Sequence, residues 1–148
     1  MSLFQKIKSF LCDPGAEPVK AWHHDTLGDA TWTDDDEAWV GRHNNIQYLL
    51  AYERDCETPP VEVVDYALVI LAPDFELLAR FEELKAQSMS EYPERLHPES
   101  SRLVIESIHL YRGKNSRESI ACLAGSEDSR SWRFDMLDTK LCHLAFDT

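Results

Sequence analysis

Two short polar segments of this 148-residue chain contain side chains that can do chemistry. His23, His24 and Asp25 stand in a row, and imidazoles beside a carboxylate can bind a metal or relay a proton. Further along is a run of four acids: Asp34, Asp35, Asp36 and Glu37. Their oxygens are of the type that binds a divalent cation. Both segments are candidate sites on residue type alone.

The histidine pair faces a geometric objection. Adjacent residues on an extended strand point to opposite faces, so His23 and His24 would not converge on one ion. We therefore favour an ordinary pair on a strand edge or in a loop. The alternative is a small-ligand- or metal-binding protein, or a hydrolase, that uses His23, His24 and Asp25.

The acidic run is better explained as a turn. It fails the calcium-loop template, because Ala38 and Trp39 follow it and no glycine provides the sharp bend. Asp side chains bond to nearby backbone and tolerate turn geometry, while the flanking Trp, Thr and Val residues suit a pleated, half-buried surface. Residues 27–41 therefore predict a β-hairpin with an acidic tip.

Two tryptophans flank this tip. Seven positions separate Trp32 from Trp39, and such an odd separation lets a hairpin pair them directly on one face. The pattern leaves open whether that face belongs to the core or to a surface for a partner.

The chain has four cysteines: Cys12, Cys56, Cys122 and Cys142. No C-x-x-C pair occurs, which argues against a zinc ribbon or a thioredoxin motif. Cys142 beside His143 invites a nucleophile–base interpretation, but neighbours on a strand face apart. Strand periodicity instead predicts that Cys142 shares a core face with Leu144 and Phe146, and that Cys122 is a similar core residue and a cross-strand neighbour. Free thiols in a reducing cytoplasm are expected.

The charge balance restricts the classes of partner. The chain has 27 acidic residues against 15 Lys and Arg, a net charge of −12. Such a surface repels nucleic acid and anionic membranes and attracts cationic partners, although plain solubility also explains it. No dinucleotide, phosphate-loop, zinc-protease or serine-hydrolase motif is present, so no cofactor is predicted. No apolar run is long enough to cross a membrane.

Residues 1–12 predict a short amphipathic helix, and residues 13–18 a linker. The apolar side of this helix consists of Leu3, Phe4, Ile7, Phe10 and Leu11. We expect it to dock on its own domain or on a second copy of the chain, the latter giving a homo-oligomer. The alternatives are a partner protein or a weak contact with a membrane face.

The remaining residues, 19–148, are expected to form a single α+β domain. Strands at both ends flank two helices, one over 61–71 (a region also rich in strand-forming residues) and a second capped by Asp74. Prolines bound a loop over 93–98, and a phase slip near Ser107 predicts a bulge. This order favours an antiparallel sheet of six or seven strands with both helices on one face.

Three segments also resemble a bacterial protein family of unknown function. They are LGDATWTDDDEAWVG, ALVILAPDFELLARFEEL and SRSWRFDMLDTKLCHLAFD. The resemblance spans residues 22–148 and implies an N-terminal hairpin, a helical middle and a Trp-containing C-terminal hairpin. It carries over no catalytic residue.

Together these features predict a non-enzymatic interaction module that binds a basic protein. Small acidic proteins of similar shape include immunity partners of bacterial toxins, an analogy at the level of fold alone. The residues expected at the binding surface are Trp32, Trp39, Asp34, Asp35, Asp36, Glu37, His23 and His24.

Overall fold

Eight strands form one sheet, in the order of the chain. The computed structural model describes residues 19–52, 57–112, 116–126 and 130–147. The strands are β1 Ala21–His24, β2 Gly28–Thr33, β3 Ala38–His43, β4 Ile46–Ala51, β5 Val104–Arg112, β6 Arg117–Ala124, β7 Ser131–Leu137 and β8 Lys140–Asp147. The predicted helix and linker over residues 1–18 lie outside the described residues.

The predicted α+β class is confirmed, with two differences in the sheet. It has eight strands rather than six or seven, and it is mixed rather than wholly antiparallel. Each neighbouring pair is antiparallel except β4 and β5, where Leu50 lies opposite Leu110 in parallel register. A parallel pair needs a long crossover, and the helical middle of the chain provides it.

Three α-helices occupy this crossover in the described part of the chain: α1 Val61–Ile70, α2 Leu77–Met89 and α3 His97–Arg102. The helix predicted over 61–71 is confirmed. The loop predicted over 93–98 is wrong, because a 3-10 turn and the start of α3 lie there. Pro98 stands in the first turn of α3, where a missing N–H is tolerated.

The predicted cap of the second helix is also wrong. Asp74 lies inside a 3-10 turn over Pro73–Phe75, and α2 begins only after Glu76. Glu76 has a left-handed backbone (φ 54°) and gives no side-chain cap. The chain therefore turns a tight corner between α1 and α2.

The helices cover one face of the sheet and form the core with it. Phe81 of α2 stacks on Phe134 of β7 with ring centroids 5.2 Å apart. Tyr66 of α1 is fully buried, and its hydroxyl donates to the Asp138 carbonyl oxygen at 2.7 Å. The longest described helix has 13 residues, and no helix in this part of the chain could span a bilayer.

The opposite face, here called the back face, follows from the strand register. It presents Thr31, Val40, Leu49, His109, Ile120 and Cys122. No helix of the described ranges packs on this side of the sheet.

Two bulges interrupt the strand alternation. The bulge predicted near Ser107 is confirmed between Ile105 and Ser107. A second bulge lies in β8, where the pairing jumps from Ala145 to Cys142 and His143 has a left-handed backbone (φ 56°). The inserted residue changes the phase of the strand.

This second bulge overturns the predicted position of the cysteines. Cys142 lies opposite Asp135 on the back face, while Leu144 stays in the core. Cys122 also lies on the back face, opposite Arg133. The two thiols are on β6 and β8, with β7 between them, so they are not cross-strand neighbours.

Candidate functional site at the acidic tip and the back face

The β2–β3 turn is an exposed acidic tip, defined by Asp34, Asp35, Asp36 and Glu37. The predicted hairpin is confirmed, and Glu37 closes the turn with a left-handed backbone (φ 47°). Trp32 Nε1 donates to Asp34 Oδ1 at 2.8 Å, and Thr33 Oγ1 donates to Asp36 Oδ2 at 3.0 Å. These bonds hold two of the carboxylates in fixed orientations.

A pair of tryptophans lies on the two strands that the tip connects. Trp32 and Trp39 are direct cross-strand partners, as predicted, with ring centroids 5.9 Å apart in an edge-to-face arrangement. Trp39 is 0% exposed and belongs to the core, whereas Trp32 is half-buried. The question left open by the sequence is thus resolved: the shared face is the core face, and Trp32 keeps an accessible side.

Three carboxylates of the tip, those of Asp34, Asp36 and Glu37, form no ion pair within the described part of the chain. Two arginines at the same end of the sheet have acidic partners of their own. Arg112 Nη1 lies 3.9 Å from a Glu62 oxygen, and Arg117 Nε lies 3.6 Å from an Asp138 oxygen. The side chains of Asp34, Asp36 and Glu37 are all exposed.

His23 and His24 point to opposite faces, as strand geometry predicts. His23 Nδ1 lies 2.7 Å from Asp29 Oδ1 on the back-face side. His24 Nδ1 accepts from the backbone N–H groups of Thr26 and Leu27 at 3.1 and 3.3 Å. Its proton must then reside on Nε2, and the ring closes the β1–β2 turn.

The structure does not bring the histidines to the acidic tip. They lie at the β1–β2 turn, and the tip follows the opposite end of β2. Asp25 is 3.7 Å from His23 Nε2, but His24 is turned away from both. No described group of three or more His, Cys, Asp or Glu side chains has an arrangement that could hold a metal ion.

His109 lies on the back face and was missed by the sequence analysis. It lies on β5 between Leu49 and Ile120, and Ser107 Oγ is 3.4 Å from its Nε2. Burial lowers the pKa of His109, and the nearby charge of Asp36 partly opposes this. A neutral imidazole can both donate and accept a hydrogen bond on the back face. The parallel pairing of β4 and β5 brings His109 next to Leu49. Because these strands are far apart in the chain, the sequence pattern did not predict this position.

A buried ionic cluster is the second group that the sequence analysis missed. Glu99 of α3 is 5% exposed and accepts from Arg130, Ser126 and Trp132 Nε1. The Arg130 hydrogen bonds, opposed by burial, lower the pKa of Glu99 to about 2. A perturbed acid often marks an active site, but here protein donors satisfy the carboxylate and the cluster is structural.

A small apolar hollow of about 220 Å³ lies at the far end of β3 from the tip. It is lined mainly by Ile70, Leu71, Pro73, Leu77 and Leu78, with His43, Asn44 and Glu76 as its polar members. Its volume suits a single side chain, and it shares no residue with the acidic tip.

Fold and site together define an α+β protein with a mixed eight-stranded sheet and an acidic hairpin tip. No protein-family model, curated protein or solved structure matches it. The similarity of residues 22–148 to a bacterial family of unknown function stays a hypothesis.

Proposed function

We propose that this protein is a non-enzymatic interaction module that binds a basic protein through its acidic tip. One observation carries the proposal: Asp34, Asp36 and Glu37 have no cationic partner in the described part of the chain. Two of them are nevertheless held in place by Trp32 and Thr33. Carboxylates held in this way can accept charge-assisted hydrogen bonds from Lys or Arg with little loss of side-chain entropy.

The surroundings of the tip support a protein partner. Trp32 keeps an accessible side next to Asp34, and tryptophan is enriched at interface hot spots. The net charge of −12 would accelerate encounter with a basic protein at low ionic strength. An immunity protein that neutralises a basic toxin is one form that such a module takes.

The cysteine environment favours binding over thiol catalysis. Burial raises the pKa of the Cys142 thiol, whereas a nucleophilic cysteine requires a lowered pKa. His143 next to it adopts the bulge conformation and is exposed, so it supplies no base to Cys142. Cys122 and Cys142 are free thiols, which supports a reducing cytoplasm as the location.

The test compares two variants of equal net charge. The tip variant carries Asp34→Asn, Asp36→Asn and Glu37→Gln, whose side chains keep the acceptor oxygens for Trp32 and Thr33. The control variant removes three exposed acids elsewhere: Asp65→Asn, Glu91→Gln and Glu94→Gln. Each protein is immobilised, and its partner is captured from a lysate of the source organism and identified by mass spectrometry.

We expect wild type and control to capture the same basic protein, and the tip variant to bind it at least tenfold more weakly. The affinity should fall as salt is raised from about 50 to about 300 mM, because salt screens exposed charges. Equal affinities for the tip and control variants would overturn the proposal, as would a captured partner without a basic surface.

A further inference from the structure

One half of the back face is buried although no described element covers it. Ala38, Val40 and Leu49 are only 1%, 3% and 5% exposed and form an apolar cluster of their own. Thr31, the cross-strand neighbour of Val40, has a hydroxyl oxygen that is shielded from solvent and has no hydrogen-bond partner among the described residues. All the helices of the described ranges pack on the other side of the sheet.

The burial does not extend across the whole back face. On the other half of the same face, Ile120, Cys122 and Ala124 keep partial exposure. Val104 and Leu137 are 58% and 48% exposed. The sheet alone does not shield this face, since back-face residues of β6 to β8 keep at least partial exposure, although Ser107 of β5, next to the cluster, is also buried. Something additional must lie over β2, β3 and β4.

The geometry points to residues 1–12 as this cover: we propose that the N-terminal segment docks on the cluster of Ala38, Val40 and Leu49. The internal ranges outside the described residues, 53–56, 113–115 and 127–129, have only three or four residues each. The N-terminal range has eighteen, enough for a helix and a linker.

The chain enters the described region at the right place. The Lys20 carbonyl oxygen accepts from the Trp32 N–H at 3.0 Å, so the entry point lies at the tip end of β2, beside the buried cluster. The linker over residues 13–18 can span up to ~20 Å, and three strand spacings from β1 to β4 amount to ~14 Å. The linker is therefore long enough.

The chemistry of the segment matches the surface. Its apolar residues recur at helical spacing, so one side can cover an apolar cluster. These residues are Leu3, Phe4, Ile7, Phe10 and Leu11. Residues 1–12 also contain two lysines and no acid, which opposes the strong negative charge of the remaining chain. A helix of this length is only marginally stable alone and needs a surface to pack on.

The test compares two full-length variants, one altered on the apolar side of residues 1–12 and one altered on the polar side. Ile7→Asp places a charge on its apolar side, and Ser9→Asp places the same charge on its polar side. Hydroxyl-radical oxidation of Leu49 reports its exposure, with the already exposed Leu137 as internal reference. We expect Ile7→Asp to raise Leu49 oxidation at least threefold, and Ser9→Asp to leave it unchanged.

A second measurement needs no variant. In the wild-type chain, methyl NOEs between Ile7 and Val40 or Leu49 are expected within one molecule. If such NOEs appear only between differently labelled molecules, a second copy supplies the segment, and docking within one chain is refuted. Leu49 oxidation that responds equally to both substitutions, or the absence of these NOEs, overturns the proposal. Neither result bears on partner binding at the tip.

Discussion

At the scale of single residues, two buried tryptophans show how differently the same side chain can be accommodated. Trp39 and Trp132 are both almost completely buried. Trp132 Nε1 donates to Glu99 Oε1 at 2.9 Å, whereas no described residue accepts from Trp39 Nε1. Burying an N–H without an acceptor costs free energy, so Trp39 contributes through its packing alone.

Replacing each tryptophan by phenylalanine tests this difference. Both changes remove ring volume, but only Trp132→Phe also removes a hydrogen bond to a charged group. We expect Trp132→Phe to lower the free energy of unfolding by about 2 kcal/mol more than Trp39→Phe. Urea unfolding of the three proteins measures the two differences. Equal losses would show that the Trp132–Glu99 bond adds nothing to stability.

The Glu99 cluster predicts that the free energy of unfolding falls at acid pH. Its folded pKa of about 2 is below the ordinary 4.5, so its contribution is complete above pH 4.5 and is lost as the pH falls toward 2. At pH 7, Glu99→Gln should cost about 3 kcal/mol, because Arg130 loses its buried charged partner. Between pH 4.5 and 2.5, the variant should lose less unfolding free energy than wild type.

Denaturant unfolding across this pH range provides the measurement, and Glu91→Gln, at an exposed acid, provides the control. If Glu99→Gln and wild type lose unfolding free energy in parallel below pH 4.5, the Arg130 ion pair does not govern this part of the acid response.

At the scale of elements, close packing within the first hairpins depends on one glycine. A Cβ added to Gly41 would lie 2.2 Å from the hydroxyl oxygen of Tyr48 on the adjacent strand. Tyr48 cannot move easily, because it is fully buried and its hydroxyl donates to the Leu27 carbonyl oxygen at 3.0 Å. The position therefore requires the absence of a side chain.

We predict that Gly41→Ala destabilises the protein by about 1–3 kcal/mol through this overlap. The same substitution in a Tyr48→Leu background should cost much less, because the ring that it meets is gone. Thermal or urea unfolding of all four proteins completes a double-mutant cycle. An identical cost in both backgrounds would mean that the overlap with Tyr48 is not the cause.

The elements also show what sequence patterns can and cannot reveal. The hairpin over β2 and β3 was predictable, because an acidic turn and two tryptophans at odd spacing are local signals. The left-handed backbone at His143 has no such signal, so the phase of β8 and the position of Cys142 were predicted wrongly. Helix α3 was missed because it is only six residues long and has Pro98 in its first turn, a residue that also marks loops.

At the scale of the whole molecule, two antiparallel halves meet at one parallel pair. Residues of β4 and β5 that lie opposite each other, such as Leu50 and Leu110, are far apart in the chain. Glu99 and Arg130, which form an ion pair, are also far apart in the chain, as are Asp36 and His109, which interact electrostatically. Patterns in a single sequence do not encode such distant pairs, so the class of the fold was predictable, whereas the parallel pair and the back-face neighbourhood were not.

The bulge in β8 also affects how this sheet meets other proteins. Within the described ranges, the first and last strands each pair on one side only, and unpaired N–H and C=O groups at such edges favour strand addition and aggregation. β1 has only four residues, and β8 is bent at His143, so both edges offer a poor template. A partner of this protein is therefore expected to bind through side chains and not by extending the sheet.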